Sequence, residues 1–301
     1  MYWNKELETL PRRELERLQL ARLQESLARA AKSEFYGRDF QEKGFRGCDS
    51  LDGLAMLPCT SKQDLRDHFP YGFLTLELDD IVRLHSSSGT TGTPTVVYYT
   101  RHDLDVWTEM VTRSMYMTGA RRGDVFQNMM GYGLFTGGIG FHYASEQLGM
   151  LTIPAGPGNS KRQIWFMQKF GTTYIHILPS YAMHLQQYFV EDGIDPRSLK
   201  LKAAFIGAEP HSEAIRRKIE DFYGIKAFNS YGLSEMCGPG VAFECPEQNG
   251  LHLWEDNFIV EIINPETGEV LPDGEEGELI LTTLTKEAMP LFRYRTKDLT
   301  R

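Results

Sequence analysis

The sequence predicts an α/β fold, with parallel sheets covered by helices and a small antiparallel β sub-domain at the end. Three observations carry this. From about residue 80 to residue 222, short apolar runs alternate with helical patterns. After about residue 250 the helical period disappears, and strand-like runs flank turn-rich stretches. The chain has 301 residues, of which 41% are hydrophobic and 24% charged, so it can bury a sizeable core but exceeds the usual single domain. Residues 1–250 are therefore read as the α/β body and 251–301 as the β sub-domain.

Residues 12–32 read as an amphipathic helix, with Leu15, Leu18, Leu23 and Leu27 spaced among Arg and Glu. Thr60-Ser61-Lys62-Gln63-Asp64-Leu65 has the pattern of a capped helix start. The run Ile81–Leu84 leads into a Gly/Ser/Thr loop, and Leu104–Met117 is helical. Further strands are expected at Leu151–Ile153, Tyr174–Leu178 and Ala203–Ile206. Helices at Arg162–Phe170, Tyr181–Val190 and Ser212–Phe222 separate or follow them, as parallel sheets require. Phe258–Ile263 and Glu278–Thr283 are the strands of the last sub-domain, linked by Asn264–Gly268 and Pro272–Gly274.

Several function classes are disfavoured at this level. A net charge of −9 argues against an extended nucleic-acid or anionic-membrane surface, though not against a nucleotide. Four cysteines (Cys48, Cys59, Cys237, Cys245) are too few for a disulfide scaffold and read as reduced thiols of a cytoplasmic protein. Met1 to Leu10 carries Lys5, Glu6 and Glu8 and lacks the apolar centre of a signal peptide, and no membrane-spanning run is present.

Ser86-Ser87-Ser88-Gly89-Thr90-Thr91-Gly92-Thr93-Pro94 lies between two strand-like runs. Successive small residues let backbone N–H groups point at one anion, and the hydroxyls add donors. No Gly-Lys-Ser/Thr follows, so this is not a Walker loop, and the glycine spacing is wrong for a dinucleotide fingerprint. On its own the run reads equally as a phosphate loop or a polar hairpin linker.

That run closely resembles the phosphate-binding signature of the adenylate-forming superfamily. Ser230-Tyr231-Gly232-Leu233-Ser234-Glu235 resembles its Tyr-Gly-x-(Ser/Thr)-Glu motif, and Tyr294-Arg295-Thr296-Lys297-Asp298 its Tyr-Arg-Thr-x-Asp motif. Three motifs in the same chain order form a specific signal. Gly133–Gly138, Gly207-Ala208-Glu209-Pro210, Gly238–Val241 and the stretch from His252–Asp256 to Pro265–Pro272 narrow the resemblance to the phenylacetate–CoA ligase branch, over nearly the whole chain.

The resemblance implies the family's N-terminal domain, with two similar sheet-and-helix sub-domains in an αβαβα layering. It implies that Ser87, Ser88, Gly89, Thr90, Thr91, Gly92 and Thr93 hold the phosphates of ATP. Gly207, Ala208, Glu209 and Pro210 would line the adenine pocket and Tyr231 would stack on the base, with Ser230, Gly232, Leu233 and Ser234 around it. Glu235 would ligate Mg²⁺, and Asp298 would accept both ribose hydroxyls, a task suited to a two-oxygen carboxylate. Thr91 and Glu235 are the implied catalytic members, and the loop, Tyr231–Glu235 and Asp298 are expected to converge. Thr93 stands where many members carry Lys, which should weaken phosphate attraction.

The implied substrate is a small carboxylic acid that is adenylated and then passed to coenzyme A. Tyr132, Phe135, Phe141 and Tyr143, clustered around Gly138 and neighbouring glycines, suit a flat apolar acid. Phe141 and Tyr143 read at least as well as core, and Tyr132 and Phe135 are the stronger pocket candidates by resemblance. Cys237, Cys245 and His252 form a weak zinc pattern without the usual close Cys pair, and two thiols with a hydrogen-bonded His is the plainer reading. The chain ends at Arg301, so the family's small C-terminal domain and its Lys are expected to be missing and turnover poor. Family members are often dimers, although no homodimer interface is legible. Transfer to a carrier-protein thiol, or a catalytically silent nucleotide-binding module, remain the alternatives.

Overall fold

The computed structural model describes residues 2–87 and 94–301. Among them the strands are β1 (Arg83–Ser86), β2 (Val96–Tyr99), β3 (Val125–Asn128), β4 (Leu151–Ile153), β5 (Tyr174–Ile177) and β6 (Ala203–Gly207). They continue with β7 (Lys226–Leu233), β8 (Gly238–Glu244), β9 (Leu251–Leu253), β10 (Phe258–Ile263), β11 (Gly277–Thr283) and β12 (Tyr294–Thr300). The chain folds as two compact units, one of Met1–Lys5 with Trp107–Leu253 and one of Glu6–Val106 with Trp254–Arg301. Residues 6–106 thus group with the C-terminal segment, whereas the sequence pattern assigns them to the body.

The first of these units is built on a seven-stranded sheet in the order β4-β3-β5-β6-β7-β8-β9. The strands from β4 to β7 run parallel, each linked to the next by a helix or loop crossover. From β7 onward the pairing is antiparallel, so the sheet is mixed rather than wholly parallel. Helices Ser160–Phe170, Pro179–Glu191 and Glu213–Tyr223 bury Ile164, Met167, Leu185, Phe189, Ile219 and Tyr223 against Ile175, Ile177, Ala204 and Ile206. Alternate strand residues turn to the other face, as the two-residue period demands. There Phe126, Phe205 and Phe243 pack around Phe141 of helix Gly137–Gln147.

Close approach on that second face depends on glycine. A Cβ at Gly140 would lie 2.6 Å from the Trp107 ring, and one at Gly238 would lie 2.6 Å from Thr136 Cβ and 3.0 Å from Trp107. Gly238 also has φ +97°, which side chains other than glycine rarely adopt. Trp107 is 1% exposed and donates through Nε1 to the Pro239 carbonyl at 2.9 Å. The indole therefore keys helix Gly137–Gln147 and the start of β8 to one position.

In the second unit, β1 and β2 form a hairpin and β10-β11-β12 a three-stranded antiparallel sheet. The sheets of the two units are therefore unlike, one large and mixed, the others small and antiparallel. Helix Arg12–Ala30 buries Leu15, Leu23 and Leu27, the face its leucine spacing marks out. Ser61 and Asp64 form a reciprocal capping box at helix Lys62–Asp67, as the sequence pattern implies. Tyr36, Phe73 and Phe292 pack edge to face, and the Tyr36 hydroxyl accepts from Phe292 N at 3.1 Å. Thr60 pairs with Tyr294 and accepts at its carbonyl from Arg295 N at 2.8 Å, which ties the N-terminal segment to the start of β12. Among the described residues, no helix is long and apolar enough to cross a membrane.

Asp103, 1% exposed, organises the irregular stretch before β12. Its carboxylate accepts from Thr100 N at 2.9 Å, Glu287 N at 2.6 Å and Ala288 N at 3.1 Å, while Asp103 N donates to Thr100 Oγ1 at 3.0 Å. Asp103→Ala strands three backbone donors and should lower stability by about 2–4 kcal/mol, read by chemical denaturation. Gly238→Ala must both displace Thr136 or the Trp107 indole and strain the backbone. It should cost about 2 kcal/mol or more in the same assay, and an unchanged midpoint would refute the packing argument.

Candidate functional site

In the first unit the Tyr-Gly motif is not a loop, since Ser230 to Leu233 are the last residues of β7. They pair with β8 through a register shift between Tyr231 and Gly232. A Cβ at Gly232 would fall 1.9 Å from the Gly238 carbonyl oxygen, so this glycine is a steric requirement of the β7–β8 approach. Tyr231 is half-buried, and Ser230 is buried with its Oγ making no hydrogen bond among the described residues. Ser234–Met236 follow as a 3₁₀ turn that buries Glu235 at 4% exposure. Ser234 Oγ lies 3.3 Å from Thr136 Oγ1, linking that turn to the start of helix Gly137–Gln147.

Gly207 ends β6, where a Cβ would sit 2.4 Å from the Ser230 carbonyl oxygen, so β6 and β7 meet closely at their carboxyl ends. Ala208 has φ +62° and is exposed, as is Pro210. Glu209 instead caps helix Pro179–Glu191, accepting from Ser180 N at 2.5 Å and Ser180 Oγ at 3.0 Å. Carboxyl ends of parallel strands are where α/β sheets expose loop backbone to ligands. Here Gly207, the last residue of β6, pairs with Ser230 of β7, and Ala208–Pro210 and Tyr231–Leu233 follow that pair.

The aromatic cluster divides. Tyr132 and Phe135 are exposed on the segment before helix Gly137–Gln147. The Tyr132 hydroxyl lies 3.2 Å from His142 Nδ1, and its acidity is suppressed, the pKa being pushed up to about 12 mainly by desolvation. Gly138 is buried, with no room for a Cβ beside the Gly131 carbonyl at 2.6 Å, and its own carbonyl accepts from Asn128 Nδ2 at 2.6 Å. Phe141 does not line a pocket. It is fully buried, 3.9 Å from the His176 ring and against three further phenylalanines, because its helix position faces the sheet. Tyr143 is half-buried on the next position of that helix.

The zinc pattern is overturned. Cys237 precedes and Cys245 follows β8, whose seven extended residues at about 3.3 Å each hold the two sulfurs at opposite ends of a strand. His252 is exposed on β9, opposite Phe243. Among the described residues no three His, Cys, Asp or Glu side chains group as metal ligands.

In the second unit, Ser88, Gly89, Thr90, Thr91, Gly92 and Thr93 lie outside the described residues. Ser87 is hydrogen-bonded to Thr95. Its N–H donates to the Thr95 carbonyl at 3.0 Å, and its Oγ accepts from Thr95 N at 3.1 Å and Thr95 Oγ1 at 2.9 Å. The Ser87 hydroxyl is thus already engaged by protein. Asp298 is exposed in β12, and its N–H donates to Thr296 Oγ1 at 3.1 Å.

Two buried polar side chains escape a motif-based reading. His176, in the apolar strand β5, is held neutral, desolvation pulling its pKa down to about 3, and Nδ1 makes no hydrogen bond among the described residues. Glu278 is 2% exposed inside the apolar strand β11. The signal for each was a titratable residue interrupting an apolar run.

The family description "AMP-binding enzyme" matches residues 49–284. The chain is 48% identical to the phenylacetate-coenzyme A ligase of Thermus thermophilus, covering 100% of this chain and 68% of that protein. It is 45% identical to the phenylacetate-coenzyme A ligase of Escherichia coli, covering 98% and 69%. A solved 2-hydroxyisobutyryl-CoA ligase, in complex with 2-HIB-AMP and CoA, is similar with a TM-score of 0.91 at 29% identity, covering 99% of this chain and 66% of that one. The chain spans about two thirds of the length of its curated relatives. On this fold, these motifs and this degree of identity, the chain belongs to the AMP-binding enzyme family, in its phenylacetate–coenzyme A ligase branch.

Proposed function

We propose that the chain binds ATP and a phenylacetate-like carboxylic acid and joins them as an acyl-adenylate, which the whole protein passes to coenzyme A. A carboxylate oxygen bonds to the α-phosphorus, the bond from that phosphorus to the bridging oxygen breaks, and pyrophosphate leaves with the electron pair. No protein nucleophile is needed, so the residues serve to position and to compensate charge. The observation that carries the reading is the construction of Gly207–Pro210 and Ser230–Glu235. Two neighbouring strand ends, packed too tightly for any Cβ at Gly207 or Gly232, carry the half-buried Tyr231 ring and lead to a turn that holds a buried carboxylate.

Within this reading Tyr231 offers a face to the adenine, and Asp298 accepts the ribose hydroxyls. Tyr132 and Phe135 are exposed aromatics available to an apolar acid, and the Tyr132 hydroxyl stays neutral. Glu235 is the residue that would hold Mg²⁺. A single carboxylate fits, because Mg²⁺ is usually held by one or two carboxylates with substrate phosphates and water completing the shell. When bound it would offset the charge that gathers on the leaving pyrophosphate. An ATP- and CoA-dependent reaction on a small acid belongs in the cytoplasm.

Calorimetric titration with AMP and with ATP–Mg²⁺, with and without phenylacetate, tests the proposal. Tyr231→Ala and Asp298→Ala should each weaken AMP binding by about tenfold or more, and phenylacetate should tighten it in the unmodified chain. A folded chain that binds neither nucleotide would overturn the reading. Glu235→Gln should leave metal-free AMP binding within about twofold while cutting the Mg²⁺-dependent gain in ATP affinity about tenfold. Equal losses for both ligands would remove Glu235 from the metal role.

A further inference from the structure

Strand β12 does not run evenly along β11. Ile280 pairs with Arg295 and Glu278 with Leu299, so three residues of β12, Thr296, Lys297 and Asp298, lie against the single Leu279. Two residues are in excess, and Lys297 takes φ +68° to accommodate them. Such bulges bend a strand and re-aim its side chains. This one contains Asp298.

Left alone, a bulge next to a strand end is a soft element, because its amides have lost their ladder partners. Here the partners are replaced one by one. Thr296 Oγ1 donates to the Leu279 carbonyl at 2.8 Å and accepts from Asp298 N at 3.1 Å. Glu278 does the rest. One carboxylate oxygen accepts from Arg295 Nε at 3.2 Å and from Lys297 N at 3.2 Å. The other accepts from Arg295 Nε at 3.1 Å and Nη2 at 2.5 Å, with Lys297 Nζ at 3.7 Å. Arg295 Nη2 also donates to the Pro265 carbonyl at 3.0 Å.

A carboxylate at 2% exposure is costly unless its charge and lone pairs are answered. Burial alone would raise its pKa, but the Arg295 bonds and the nearby charges outweigh burial and hold it below the usual carboxylate range. Plain sheet stability would be served as well by an apolar residue at this strand position, as at Leu279, Ile280 and Leu281 beside it. What an apolar residue could not do is bind the Lys297 amide and the Arg295 guanidinium at once, on either side of Thr296.

We infer that Glu278 is a positioning residue for the nucleotide ribose, acting through Arg295 and the Lys297 amide to fix the bulge that carries Asp298. The inference rests on the proposed role of Asp298 as acceptor of the ribose hydroxyls. A merely structural carboxylate would alter stability and leave the ligand's ribose unread.

The test compares equilibrium binding of AMP and of 2′,3′-dideoxy-AMP to the full chain and to Glu278→Gln, Arg295→Gln, Asp298→Ala and the Glu278→Gln/Asp298→Ala double variant. Thermal melts report which of them fold. Glu278→Gln should weaken AMP about tenfold and leave the dideoxy ligand within about twofold, and the double variant should bind AMP no more weakly than Asp298→Ala alone. Arg295→Gln should move in the same direction, and it decides the matter if Glu278→Gln does not fold. If Asp298→Ala abolishes the preference for AMP while the Glu278 and Arg295 variants keep it, or lose both ligands equally, the positioning role is refuted. If Asp298→Ala itself keeps the full preference, the ribose role of Asp298 fails and the inference falls with it.

Discussion

Backbone N–H groups that leave a helix or a ladder inside a protein still need acceptors, and this chain meets that need with carboxylates. An unanswered buried donor costs about 1–3 kcal/mol, comparable to a large share of a domain's net stability. Asp103 takes three amides at the junction of helix Arg101–Met117 with the stretch after β11. Glu278 takes the Lys297 amide at the bulge, and Glu244 takes Asn229 N at 2.7 Å within the β7–β8 region. Glu220 takes Ala227 N at 2.9 Å as β7 begins, and Glu209 takes Ser180 N where a helix starts. Several of the irregular turns bearing on the proposed site are held this way. Because the acceptors are charged, the bonds are stronger than neutral ones and fix geometry more sharply.

The same device explains how an acidic chain can serve a polyanionic ligand. The net charge of −9 is formal, and some of these acids are already answered inside their own unit, by amides or by Arg as at Glu278 and Glu261. Their charge is neutralised close at hand and does not extend far through solvent. A phosphate ligand would then depend on local donors, and Thr93 stands where many family members carry Lys.

Periodicity alone located most regular elements. Leu151–Ile153 and Phe258–Ile263 are strands with the expected bounds, and the helix read at residues 12–32 spans Arg12–Ala30. The helix buries the face its leucines mark, so pattern and tertiary setting agree there, whereas β4 is an edge strand whose Leu151 is exposed. Periodicity does not mark β3, because Gln127 and Asn128 are polar and yet fully buried. Gln127 is satisfied by Gln163 and Thr172, and Asn128 by the Gly138 carbonyl and Met130 N, partners no local pattern shows. Nor does periodicity mark the β7–β8 hairpin, whose glycines look like turn signals. Phe141, which reads as core or as pocket wall from the sequence, is core: the pairing of helix and sheet shows which way an aromatic beside glycines faces.

Those glycines also bear on what a motif can mean. In Ser230–Glu235, Gly232 is fixed by the carbonyl of Gly238 and Ser234 leans on Thr136, while Tyr231 and Glu235 are the members with chemistry to offer. In Tyr294–Asp298, Tyr294 is buried and paired with Thr60, Arg295 answers Glu278, and Asp298 alone faces outward as an acid. Each motif therefore mixes residues that could touch a nucleotide with residues that hold the backbone under them. A sequence reading gives both kinds equal standing, since both are demanded together. The distinction is physical: a supporting residue has its hydrogen bonds or its van der Waals space filled by protein, as Ser87, Glu209 and Gly138 do. By that criterion Ser87, Glu209 and Gly138 read as supports of the backbone around them.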